Sequence, residues 1–181
     1  LKKGTLVICD EAFLPLVPDG EKESLIPLIE EYNNLIVIRS FTKLFPIAGL
    51  RLGYAISSGE RLKQWEKLRD PWPVNQIAVK AGNILLKDKG FLINWFKNIH
   101  SWVDSESSWM YKELTKLPNI LAHPTAANYL LIESSESLVT KREKLAKKKI
   151  LLRDCRSFKN LNEKWLRISF QKRADNKRII N

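Results

Sequence analysis

An α/β fold, in which part of a mostly parallel sheet carries flanking helices and is followed by a small C-terminal α+β domain, is predicted by three features of the 181-residue sequence. Two continuous apolar runs, TLVICD at 5 to 10 and NLIVIRS at 34 to 40, have the composition of strands buried on both faces. Between them, apolar residues at Leu25, Leu28 and Ile29 read as a crossover helix, so that strand, helix and strand form a right-handed βαβ unit. Beyond about residue 117 the pattern changes to short strands around a basic helix, the mark of an antiparallel sheet.

The elements follow in order. TLVICD ends in the carboxylate of Asp10, and GEKESLIPLIEEYNN (20 to 34) opens with Gly and acids, with Pro27 in the early turns of the expected helix. RLGYAISS (51 to 58) is a third strand, and GERLKQWEKLRD (59 to 70) a helix stopped by the Pro71-Trp72-Pro73 elbow. From Gln76 to Leu117 the pattern is helical with a break near Lys89-Gly90, and Phe91, Trp95, Trp102 and Trp109 recur at intervals of four and seven as a packing stripe. A helix of that length can carry the chain between lobes. The expected divisions are 1–90 for the large domain, 91–117 for a connecting helix and 118–181 for the small domain. In the last, NILAHP, ANYLLIES, KILLRDC and KWLRISF supply strands, and a basic segment and the C-terminal segment supply helices.

With 44% hydrophobic and 28% charged residues the chain can bury a sizeable core. Its formal charge is +11, concentrated in KREKLAKKK (141 to 149) and QKRADNKR (171 to 178). Both runs read as solvated helix faces, and no aromatic residues interleave with them, so nucleic acid is not the expected partner. No stretch approaches the roughly 18 apolar residues of a membrane span. Cys9 and Cys155 alone fit a reducing, cytoplasmic setting; His100 and His123 lack metal-ligand spacing, so no metal is expected. The chain starts at Leu1 without Met or a secretory pattern and reads as a piece of a longer one.

Ligands of open α/β sheets bind outside the carboxyl ends of the strands. Asp10 and the turn from Ser40 to Lys43 both fall at such ends and offer opposite charges. Lys43 has no acidic residue within seven positions. Taken singly, Lys43 reads equally as a surface lysine, Asp10 as a cap, and Ser40 and Thr42 as turn formers.

DEAF (10 to 13) followed by SFTKLFPIAGLRLGY (40 to 54) resembles the fold-type I pyridoxal-phosphate enzymes of the class I/II aminotransferase superfamily. That family places an Asp on one strand, then Ser-x-Ser/Thr-Lys, then Gly-Leu-Arg-x-Gly-Tyr. The similarity continues through PWPVN (71 to 75), AANYLLIE (126 to 133), LLRDCRSF (151 to 158) and LRISF (166 to 170), nearly the whole chain. The later stretches look most like the threonine-phosphate decarboxylase branch of cobalamin biosynthesis, with histidinol-phosphate aminotransferase as close kin. Two departures stand out: Pro46-Ile47-Ala48-Gly49 replaces an order with Pro next to Gly, and Gln171-Lys172 replaces Arg-Thr.

The resemblance implies pyridoxal 5'-phosphate as cofactor, with Lys43 as its imine-forming residue and proton shuttle. It implies that Asp10 pairs with the pyridine nitrogen and that Ser40, Thr42 and Arg51 hold the cofactor phosphate. Gly49 and Gly53 are then expected to let backbone approach the cofactor or to take positive φ. Arg167 would fork the substrate α-carboxylate and Arg153 a second anion, with Asn75 and Asn128 lining the pocket. The matched stretches correspond to the C-terminal half of a homodimeric enzyme. The implied substrate is a small, phosphorylated amino acid, undergoing decarboxylation or transamination; the rival reading is a non-catalytic basic binding domain.

Overall fold

Three short strands in the N-terminal part of the chain pair because the backbone N–H and C=O groups of apolar extended segments need hydrogen-bond partners. In the structure, a computed structural model that describes residues 4–180, the chain forms two units, Leu1–His100 and Ser101–Asn181.

In the first unit, β1 (Val7–Asp10) runs parallel to β2 (Leu35–Ser40), with Val7 opposite Leu35 and Asp10 opposite Ile38. β3 (Gly53–Ser57) lies antiparallel on the other side of β2, with Ser40 opposite Gly53. The order β1-β2-β3 leaves β2 central, and Leu35, Ile36 and Val37 are buried on its two faces as the apolar run predicts. The same expectation fails for β1. It is an edge strand whose residues alternate, and Ile8 is 58% exposed.

The connection from β1 to β2 is not the expected α-helix. It consists of 3₁₀ turns at Leu14–Leu16, Gly20–Glu23 and Ile26–Glu30. Ser24 is extended (φ −66°, ψ 137°) and interrupts the run, and Pro27 sits at the start of the last turn, where a missing N–H costs nothing. Gly20 is required by close approach, since a Cβ there would lie 2.6 Å from the Leu14 carbonyl oxygen.

After β2 a single turn, α1 (Phe41–Leu44), leads to a 3₁₀ turn at Ala48–Leu50 and then to β3. α2 (Gly59–Glu66) is capped by Ser58 and α3 (Gln76–Lys87) by Asn75. α4 (Lys89–Leu114) starts after Asp88, whose carboxylate accepts from Phe91 N at 2.9 Å. At the beginning of α4 the aromatic stripe packs as expected: Trp95 stacks on Phe91 and Phe45, with centroids 6.0 and 5.7 Å apart. The Trp95 indole N–H also donates to the Leu44 carbonyl at 3.0 Å, which holds α4 against the turn that carries Lys43.

The second unit contains the rest of α4, then β4 (Ile120–Ala122), β5 (Tyr129–Ser134), α5 (Val139–Lys147), β6 (Arg153–Asp154), β7 (Trp165–Ser169) and α6 (Arg173–Ile180). The four strands form an antiparallel sheet in the order β4-β5-β7-β6. Strict alternation puts Leu130, Ile132, Leu166 and Ile168 on one face, against Met110 and Leu114 of α4. The other face carries Leu131, Glu133 and Arg167. Beside this core Glu106 accepts from Arg173 Nε at 3.0 Å and from the fully buried Asn176 at 2.7 Å, which fixes α6 to α4. Among the described residues no helix is long and apolar enough to cross a membrane.

Candidate active site

Alternation along a strand sends neighbouring residues to opposite faces, and parallel pairing keeps matched residues on the same face. The register of β1 and β2 therefore puts Asp10, Ile38 and Ser40 on one face and Cys9, Val37 and Arg39 on the other. Glu11 N donates to Ile38 O at 2.9 Å and extends the ladder one residue beyond Asp10. Asp10 is exposed at the carboxyl end of β1, with Oδ1 accepting from Ala12 N at 2.9 Å. This bond closes a local turn and caps no helix: the next 3₁₀ turn, Leu14–Leu16, has Phe13 at its N-cap and no side-chain cap.

Ser40 ends β2 and begins α1 without capping it; its hydroxyl instead lies 2.8 Å from that of Thr42. Lys43, one residue on, is exposed, and its Nζ stands 4.8 Å from the centroid of the Phe13 ring. Phe13 is three residues beyond Asp10, so the two loops that follow β1 and β2 meet at this cation–π contact. The structure brings Asp10, Ser40, Thr42 and Lys43 to one end of one sheet.

Arg51 lies exposed just before β3, and its backbone differs from expectation. Neither Gly49 nor Gly53 has positive φ; the left-handed residue is Arg51, at φ 52°. It follows the last 3₁₀ turn, in the position where a terminating helix commonly turns left-handed. Gly53 is needed for another reason. A Cβ there would lie 2.9 Å from the Arg39 carbonyl oxygen and prevent β3 from pairing. Nothing lies within 4 Å of a Cβ at Gly49. Asn75 serves the frame: its Oδ1 accepts from Ala78 N at 2.8 Å, and its Nδ2 donates to the Leu50 carbonyl at 3.4 Å.

In the second unit Arg167 of β7 stands directly opposite Arg153 of β6. Two like charges in register repel, so this pairing favours an anion between them. Arg167 lies over the Tyr129 ring at 5.0 Å, and its buried Nε has no hydrogen-bond partner among the described residues. Arg153 donates to Ser157 Oγ at 2.8 Å. Both border a cavity of about 370 Å³ that Lys149 and Arg178 also line. Asn128 precedes β5, and its carbonyl accepts from Phe170 N at 2.8 Å.

Burial, and for Cys9 also Glu11 and Asp10, push both thiols above their usual range, which disfavours the thiolate at either. Sequence reasoning missed a buried ion pair between Glu11 and Arg39 on the opposite face of the sheet. The signal was present as an arginine inside an otherwise apolar strand and an acid adjoining Asp10.

The family described as aminotransferase class I and II matches residues 1–181. Threonine-phosphate decarboxylase of Salmonella typhimurium is 30% identical over 175 residues, 96% of this chain and 46% of that protein. The crystal structure of the histidinol-phosphate aminotransferase from Clostridium acetobutylicum is similar with a TM-score of 0.88 at 28% identity, covering 98% of this chain and 53% of that one. That of histidinol-phosphate aminotransferase from Sinorhizobium meliloti in complex with pyridoxal-5'-phosphate has the same fold, with a TM-score of 0.82 at 20% identity over 99% of this chain and 48% of that one. The chain spans about half the length of the relatives it matches.

Proposed function

Because the chain belongs to the class I and II aminotransferase family, we propose that it serves a pyridoxal-phosphate-dependent reaction on a small, phosphorylated amino acid, as in the threonine-phosphate decarboxylase it resembles. One observation carries this reading: a carboxylate, two hydroxyls and an amine extend from the carboxyl ends of two adjacent parallel strands. The donor set fits the cofactor. An anionic acceptor, Asp10, suits a protonated ring nitrogen; the paired hydroxyls of Ser40 and Thr42 and the guanidinium of Arg51 suit a phosphate; and an exposed Lys43 suits an aldehyde.

When bound, pyridoxal phosphate supplies an electron sink for the charge left at the substrate α-carbon. Asp10 orients the ring and keeps its nitrogen protonated. Lys43 Nζ holds the cofactor in place between turnovers and carries the proton to or from the reacting carbon. Arg167 receives the α-carboxylate and Arg153 a second anionic group, which favours a substrate with two negative charges. Loss of CO₂ and transfer of the amino group use the same residues. The active form proposed is a homodimer in the cytoplasm.

The test is an absorbance spectrum of the chain with added pyridoxal phosphate. A band displaced from that of free pyridoxal phosphate and absent in Lys43→Ala supports the reading; a spectrum identical in parent and variant refutes it. With threonine phosphate as substrate, aminopropanol phosphate marks a lyase and a keto acid marks a transferase.

A further inference from the structure

We propose that Glu11 and Arg39 are positioning residues that set Asp10 against the Ser40–Lys43 turn, an inference that rests on the functional reading above. Each directly adjoins a site residue: Glu11 follows Asp10, and Arg39 precedes Ser40. Both point to the face of the sheet opposite the site, where their side chains are 5% and 4% exposed. Arg39 Nε donates to Glu11 Oε2 at 2.9 Å, and Nη2 lies 2.7 Å from the same oxygen. Its Nη1 and Nη2 donate to the two Glu21 oxygens at 2.6 and 3.0 Å, and Nη2 also to Ser24 Oγ at 2.9 Å. Glu11 in turn accepts from Ser24 Oγ at 2.9 Å and from Leu25 N at 2.7 Å.

Burial alone would lower the basicity of Arg39, but Glu21 and Glu11 more than offset it, so the guanidinium stays charged. Buried ion pairs of this kind are seldom needed for stability, since well-packed apolar substitutes are commonly as stable. What an apolar pair cannot supply is direction. The guanidinium fork fixes the angle and separation of the strand ends through bonds, and Asp10 and Ser40 inherit that geometry through one peptide unit each. Removing both charges together therefore separates positioning from stability.

The experiment compares the parent chain with Arg39→Lys and the double variant Glu11→Met/Arg39→Met. Melting temperature, amide hydrogen exchange without cofactor, and pyridoxal-phosphate affinity by absorbance titration are measured for each. The expected result is that both variants remain folded, that the amides of Ala12 and Phe45 exchange about tenfold faster, and that cofactor affinity falls about tenfold. Unchanged exchange at those two amides in a folded variant overturns the proposal. So does full cofactor affinity in the double variant. A parent chain that binds no cofactor refutes the functional reading instead, and the exchange measurement still decides this one.

Discussion

Arg51 holds a left-handed backbone conformation, at φ 52°, that side chains other than glycine adopt at a cost of about 1 kcal/mol. Its side chain is proposed to repay that strain by holding a phosphate. Arg51→Gly tests the exchange. Relieving the strain should leave the denaturation midpoint of the cofactor-free chain unchanged or slightly higher, while pyridoxal-phosphate affinity falls by about tenfold, the loss of one charged hydrogen-bonding group. Gly49 and Gly53 were expected either to let backbone approach the cofactor or to take positive φ, and the second alternative does not hold, since Arg51 takes the left-handed turn. A Cβ at Gly53 is excluded by an approach to the Arg39 carbonyl, which depends on strand register rather than on its own sequence neighbours. What was legible is that Asp10 and Ser40 end strands, because apolar runs mark strands even where, as in β1, the run is only half covered.

Local signals served the elements unevenly. The cap of α3 is carried by Asn75 itself, so Asn75→Ala should lower stability by about 1 kcal/mol and be visible as a lowered urea midpoint. Because Asn75 also reaches the Leu50 carbonyl, the same variant should loosen the approach to Arg51. The strands β2 and β5 were readable from their apolar runs, but which residues are covered was not: Ile38 of β2 is exposed while Arg39 is buried, and β5 alternates in burial although Tyr129 to Ile132 are all apolar. The crossover was not readable. Its periodicity suited a helix, but Ser24 and Leu25 bond to Glu11, 13 and 14 residues earlier, and a partner at that distance leaves no trace in a local window.

For the molecule as a whole, charge burial gives a pH dependence. Burial would raise the Glu106 carboxyl pKa, but hydrogen bonds from Arg173 and Asn176 outweigh it and hold the group below its usual 4.5. A depressed pKa contributes stability above the unfolded value and loses it as pH falls through the folded one. Thermal melts from about pH 6 to pH 3 should therefore show a decline that is shallower in Glu106→Gln, which starts from a lower melting temperature. The first unit meets solvent differently. Trp72 is 90% exposed, Leu68 85% and Ile77 72%, in a chain that spans about half the length of its relatives. Sedimentation at rising concentration should reveal self-association that salt strengthens.

The bonds that replace a helix between β1 and β2 also order events in time. A helix can begin to form from its own residues within about a microsecond, whereas the turns at Gly20–Glu23 and Ile26–Glu30 are held by distant partners, Glu11 at the end of β1 for Ser24 and Leu25 and Arg39 of β2 for Glu21. This segment should accordingly fold late. In stopped-flow measurements, conservative substitutions at Glu21 or Ser24 should accelerate unfolding and leave the refolding rate nearly untouched, whereas Val37→Ala, in the central strand, should slow refolding.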